Sequence, residues 1–219
     1  AATHGSLMGA RGNSGVILSQ LLYGIGKGFA GKDAVSINQL GKAFQYGILY
    51  AYRAVAQPVE GTILTVARGI AKGTYHAVRS GADMKELLKE SLKVGKAELD
   101  RTPDLLPALK EAGVGDAGGL LVFFEGCLAG LSGEAVPIIK EELPKNYVFE
   151  HTGEIDLEYP YCTEFVIHDA KVQEKEVKKA LQGLGNSMIV GVVYDLVKVH
   201  IHSKSPGEVL RKAIEWGSL

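Results

Sequence analysis

The chain has 219 residues, 46% hydrophobic and 22% charged, enough apolar material for one large or two small domains with a real core. Its formal net charge of −1 gives no electrostatic attraction for nucleic acid or an anionic membrane, and no apolar run reaches the roughly 18 residues of a membrane span. Two cysteines, Cys127 and Cys162, do not make a disulfide framework and fit a reducing, cytoplasmic setting.

The start, Ala1-Ala2-Thr3-His4-Gly5, has neither an initiator Met nor the basic and apolar blocks of a signal peptide, and reads as an internal piece of a longer chain. Gly9-Ala10-Arg11-Gly12-Asn13-Ser14-Gly15 then runs straight into a helix expected over Val16 to Phe29. Glycine permits close backbone approach and positive φ, and a helix N-terminus directs N–H groups and a positive dipole end at the loop. Asn13 and Ser14 suit either a helix cap or a phosphate oxygen. Without a ligand, the same residues serve as a glycine-rich turn and N-cap.

Ile37 to Gln57 is a second helix, with Leu40, Phe44, Ile48, Tyr52 and Val55 at spacings of three and four, ended by Pro58. Thr62 to Ser80 is a third, capped by Thr62; Ile63 and Leu64 suit either the core or the face of a flat base. Asp83 to Arg101 is a fourth and amphipathic, with Leu87, Leu88, Leu92 and Leu99 on one face. Thr102-Pro103 reads as the start of a short helix closed by Gly113. A second glycine cluster, Gly113 to Gly119 with Asp116 and Gly118, suits a crowded helix crossing or the sugar or base end of a nucleotide. The almost wholly apolar Leu120 to Leu131 is expected at the centre of the bundle.

Pro137, Glu141-Glu142 and Pro144 read as a linker. The fold expected is therefore an all-α bundle over residues 1–135, a linker over 136–146 and a small α/β sandwich over 147–219. In the latter, Tyr161 to His168 is a strand, Lys171 to Leu184 a helix, and Met188 to Tyr194 and Leu196 to His202 two strands around Asp195. Ser205-Pro206-Gly207-Glu208 opens a last helix, with Ser205 as N-cap, Pro206 at the first position and Glu208 closing a capping box. There is no internal repeat.

His200 and His202 fall at i and i+2 on a strand and so share a face. With Cys162 and a fourth ligand such as Glu164 or water, they satisfy the tetrahedral N/S preference of zinc. The alternative is two polar residues on an exposed strand face beside a small buried Cys. The chain contains no G-x-x-x-x-G-K-[ST] loop, G-x-S-x-G elbow or H-E-x-x-H pair.

Leu7-Met8-Gly9-Ala10-Arg11-Gly12-Asn13-Ser14-Gly15-Val16-Ile17-Leu18-Ser19-Gln20 resembles the nucleotide-binding domain shared by dihydroxyacetone-kinase L subunits and bacterial fatty acid kinase A proteins. The stretch from Arg53 to Ala67, centred on Pro58-Val59-Glu60-Gly61-Thr62-Ile63-Leu64, then Thr102-Pro103 with Leu105-Leu106, and Asp116-Ala117-Gly118-Gly119 follow the same pattern in order. Tyr161-Cys162-Thr163-Glu164 and Val197-Lys198-Val199-His200-Ile201-His202 carry the likeness into the second domain, which the sugar kinase lacks.

The resemblance implies a barrel of about eight helices with ATP at its open end, and Mg2+ on an Asp-x-Asp-rich segment lying before the first loop. It also implies phosphate contacts from Gly12, Asn13, Ser14 and Gly15, nucleotide contacts from Thr62, Leu64, Asp116 and Gly118, and charge neutralisation by Arg11. Cys162, His200 and His202 become the ligands of a zinc site. The family pattern has Lys-Gly between Gly119 and Leu120, and this chain does not. The function implied is ATP-dependent phosphorylation of a fatty acid carboxylate, presented by a carrier protein, to an acyl phosphate. The protein is expected in the cytoplasm, as a homodimer, with peripheral membrane proximity. Lacking the Asp-rich segment, these residues alone are expected to be inactive. The alternatives are a metal-stabilised interaction module and the L component of a dihydroxyacetone-type sugar kinase.

Overall fold

The computed structural model describes residues 1–106, 118–134 and 158–219. Over them, six helices come first and a three-stranded sheet with two helices second. Helix α1 (Ala2–Gly9) has no apolar stripe to announce it: Leu7 is its buried residue, packed with Tyr23, Val193 and Leu196. Helix α2 (Gly12–Phe29) begins four residues before the expected Val16. Gly12, at φ 61°, turns the chain out of Arg11, the N-cap, which makes no side-chain cap bond. Asn13 and Ser14 therefore lie in the first turn and do not cap the helix.

Helix α3 (Ile37–Ala54) opens with a reciprocal capping box between Ser36 and Gln39. It crosses α2 closely, because a Cβ on Gly24 would lie 2.4 Å from the Tyr46 carbonyl oxygen and one on Gly28 2.5 Å from the Ala43 Cβ. Helix α4 (Ile63–Arg79) is capped by Thr62, as expected. Helix α5 (Met84–Leu105), with Asp83 and Glu86 forming its capping box, runs on through Pro103. The expected break at Thr102-Pro103 is thus absent. Pro103 has no N–H for the Leu99 carbonyl, and the Thr102 hydroxyl donates to that carbonyl at 2.8 Å instead.

Helix α6 (Gly118–Ser132) is not at the centre of the bundle. It buries Leu120, Leu121 and Phe124 but leaves Val122, Phe123 and Leu131 exposed. Leu64, Ile70, Leu87, Phe44 and Val16 complete the core it joins. The linker over 136–146, Asp116 and the Gly113 end of the expected short helix lie outside the described residues.

Strands β1 (Tyr161–Ile167), β2 (Gly185–Val193) and β3 (Leu196–Ser203) form an antiparallel sheet in the order β1-β3-β2. Helices α7 (Glu174–Leu181) and α8 (Pro206–Ala213) cover one face through Val177, Leu181 and Val209. Pro206 starts α8 after Ser205, but the Ser205 side chain makes no cap bond; the Glu208 N–H donates to the Ser205 carbonyl at 3.1 Å.

The other face of the sheet lies on α1 and α2. A Cβ at Gly191 would lie 3.0 Å from atoms of Gln20, Leu7 and Val16, so glycine lets the helices settle there. The edge of β2 pairs with the segment after α3, the Ala56 N–H donating to the Met188 carbonyl at 3.1 Å. Lys178 donates to the Arg53 and Val55 carbonyls at the end of α3, satisfying acceptors that a helix C-terminus leaves open. The two parts are therefore joined by backbone pairing and a lysine cap as well as by apolar contact. Among the described residues no helix is long and apolar enough to cross a membrane.

Candidate functional site

A cavity of about 950 Å³ opens at this junction. The first turn of α2 contributes Asn13, Ser14 and Ile17, and the start of α4 contributes Thr62, Ile63 and Leu64. The sheet domain closes it with Met188 and Ile189 of β2 and with Lys175, Lys178 and Lys179 of α7. Of these lysines, Lys178 is engaged with Glu174 at 2.7 Å and with the α3 carbonyls, whereas Lys175 and Lys179 are exposed. One wall thus offers hydroxyl, amide and helix N–H groups, the facing wall offers ammonium groups, and apolar side chains lie between them. Such a space suits an anion attached to a flat apolar body.

The turn ahead of α4 is rigidly held. Arg68 donates to both Glu60 carboxylate oxygens, at 2.6 and 2.7 Å, and Thr65 donates at 2.6 Å. Burial pushes the Glu60 carboxyl up, but the bonds from Thr65 and Arg68 outweigh it and keep its pKa below the ordinary value. Thr62 Oγ1 donates to the Val59 carbonyl at 2.9 Å and accepts the Leu64 N–H at 3.4 Å.

Four of the nucleotide residues expected from sequence, Asn13, Ser14, Thr62 and Leu64, meet in this cavity. Gly12 and Gly15 shape the loop behind it; Gly15 packs on Ala10, to which a Cβ would come within 3.3 Å. Gly118 begins α6 and does not line the cavity, and Asp116 lies outside the described residues. The Arg11 guanidinium folds back onto the Ala10 carbonyl at 3.0 Å and the Met8 carbonyl at 3.4 Å.

Beside the same loop, Cys162, His200 and His202 place their ligand atoms within 4.8 Å of one another. The register explains this: Cys162 stands opposite His202 and Glu164 opposite His200 on adjacent strands. Cys162 Sγ is 3.9 Å from His200 Nε2, and the two imidazole rings are 5.3 Å apart. Zinc bonds of about 2.0–2.3 Å at tetrahedral angles put ligand atoms roughly 3.5 Å apart, so this N/N/S set fits zinc after a small closure. Burial, with the Glu164 charge, pushes the Cys162 thiol up, which makes it a poor free nucleophile; a bound cation reverses that. Among the described residues this is the one group of three such side chains arranged to hold a metal ion.

Glu164 is not in that ligand group. One of its oxygens accepts the Gly12 N–H at 3.0 Å and lies 3.3 Å from His200 Nδ1, and the other lies 3.1 Å from Lys198 Nζ. Lys198, only 2% exposed, donates to the Ala10 carbonyl at 2.6 Å. Burial raises the Glu164 carboxyl, but the bonds from Lys198, His200 and Gly12 prevail and hold its pKa below the ordinary range. The sequence reading missed Lys198, Lys175 and Lys179. The period of two that paired His200 with His202 also puts Lys198 on their face.

Residues 1–129 match the DAK2 domain, and residues 158–219 match the middle domain of fatty acid kinase A-like proteins. An uncharacterized protein of Staphylococcus epidermidis is 41% identical over 98% of this chain, and one of Staphylococcus haemolyticus 39% over the same share. Protein YloV of Bacillus subtilis is 40% identical over the whole chain. The chain spans 41–42% of the length of these relatives.

Proposed function

We propose that this chain, which belongs to the DAK2 domain family and continues into a fatty acid kinase A-like middle domain, binds ATP in the junction cavity, and that the full-length protein transfers its γ-phosphoryl group to a fatty acid carboxylate. The observation that carries the reading is the meeting of Asn13 and Ser14 with Thr62 and Leu64 in one cavity. Asn13, Ser14 and the N–H groups of the first turn of α2 hold phosphate oxygens, while Ile63 and Leu64 lie against the base. Lys175 and Lys179 balance the phosphate charge from the opposite wall.

A carboxylate oxygen attacks the γ-phosphorus, the bond to the β–γ bridging oxygen breaks, and ADP leaves with that electron pair. The nucleophile is already an anion, so no general base is needed, and catalysis is positioning and charge neutralisation. A separate carrier protein presents the fatty acid in the cytoplasm, and the product is an acyl phosphate. Cys162, His200 and His202 hold zinc, which does not contact the atoms exchanged in the phosphoryl transfer.

The test is nucleotide affinity in the intact protein. Asn13→Ala with Ser14→Ala removes two bonds to charged oxygens, each worth about 1.5–3 kcal/mol. Calorimetry should show ATP binding weakened by at least tenfold, with the thermal midpoint little changed because neither residue caps α2. Unchanged affinity would remove these residues from the phosphate site.

A further inference from the structure

We infer that Glu164 is a positioning residue that ties the Cys-His-His centre to the phosphate loop, so that zinc and nucleotide bind cooperatively. The inference rests on the reading that nucleotide phosphates meet Asn13 and Ser14. Glu164 reaches from the sheet domain to a backbone N–H 152 residues away along the chain. Its 3.0 Å bond holds Gly12, the residue at φ 61° that sets the start of α2. Lys198, paired with the same carboxylate, holds the Ala10 carbonyl on the other side of Arg11. The backbone that delivers Asn13 and Ser14 to the cavity is thus gripped at two points by one ion pair.

The same carboxylate lies 3.3 Å from His200 Nδ1. A carboxylate accepting from one ring nitrogen fixes the tautomer and orientation that leave the other nitrogen, Nε2, for a metal. Cys162 Sγ lies about equally far from both ring nitrogens, 3.9 Å from Nε2 and 4.0 Å from Nδ1, so it is the Glu164 contact at Nδ1 that leaves Nε2 for the metal. A metal that fixes the His200 ring therefore fixes Glu164, and Glu164 fixes Gly12. A nucleotide that orders the loop acts back along the same contacts, because coupling between two binding sites is reciprocal.

The experiment compares chelator-stripped and zinc-loaded intact protein, with ADP as the nucleotide probe in calorimetry and a competing chromophoric chelator for zinc. Zinc is expected to tighten ADP binding by about 5- to 150-fold, and ADP to tighten zinc binding by the same factor. Glu164→Gln keeps the size of the side chain but cannot accept from Gly12, His200 and Lys198 together. It should still take up zinc, within the 10–100-fold weakening typical of an outer partner, and its zinc-loaded form should bind ADP no better than stripped wild type.

Equal ADP affinity of stripped and loaded wild type overturns the inference, whatever the variant does. So does a folded, zinc-loaded Glu164→Gln protein that binds ADP like loaded wild type, which is the behaviour expected if zinc only stabilises the sheet domain. Complete loss of zinc from that variant also overturns it, by making Glu164 a ligand. If ADP binds in no metal state, the nucleotide reading of the cavity fails first, and the inference with it.

Discussion

Replacing Cys162 with alanine is expected to strip the sheet domain of the zinc proposed for it. Intact protein purified without chelator or a nickel column is expected to carry about one zinc per chain, held by three protein ligands with a fourth position for water. Cys162 and His202 face each other across β1 and β3, and His200 completes the set within 4.8 Å. With only two of three ligands left, affinity falls by more than the roughly 10–100-fold that loss of an outer-shell partner costs. Elemental analysis of Cys162→Ala and His200→Ala should therefore read near zero. A wild-type ratio far below one, unmoved by either substitution, would leave the cluster as a hydrogen-bonded Cys–His set without metal.

Phe124→Ala is expected to destabilise the protein by about 3–5 kcal/mol, the cost of emptying a buried aromatic site. Phe124 is 1% exposed, and its ring centre lies 5.2 Å from that of Phe44 on α3. Its neighbour Phe123 is 47% exposed, so Phe123→Ala should stay within about 0.5 kcal/mol. Urea unfolding of the two variants measures the difference. Equal losses would mean that α6 is buried on both sides, as its apolar sequence first suggests.

That contrast shows where the sequence was and was not sufficient. Spacings of three and four located α3, an amphipathic face of leucines located α5 and the cap Thr62 marked the start of α4, while the capping boxes at Ser36 and Asp83 fix the starts of α3 and α5. An apolar run such as Leu120 to Leu131 says that burial is available, not how many neighbours supply it. Thr102-Pro103 has the composition of a helix start, and only the hydroxyl bond to the Leu99 carbonyl explains why α5 continues through it. Helix α1 has no stripe to read, because its one buried side chain, Leu7, packs on the distant β2 and β3.

The site divides in the same way. A strand period of two placed His200 beside His202, and the glycine-rich approach to α2 identified Asn13 and Ser14. No local pattern reports that Glu164 reaches Gly12, since that contact exists only after the sheet has docked on α2. Lys175 and Lys179 look in sequence like the solvated side of an amphipathic helix. They face the cavity because Lys178, on the same helix, anchors α7 to the end of α3.

The central claim, phosphoryl transfer to a carboxylate, is tested most directly by trapping the product. Intact protein, ATP, Mg2+ and a fatty acid on its carrier are incubated with hydroxylamine, which converts an acyl phosphate into an acyl hydroxamate. The expected result is ATP-dependent acyl hydroxamate that disappears with Asn13→Ala and Ser14→Ala together. ATP consumed with no hydroxamate formed, or the phosphoryl group recovered on a sugar hydroxyl instead, would contradict it.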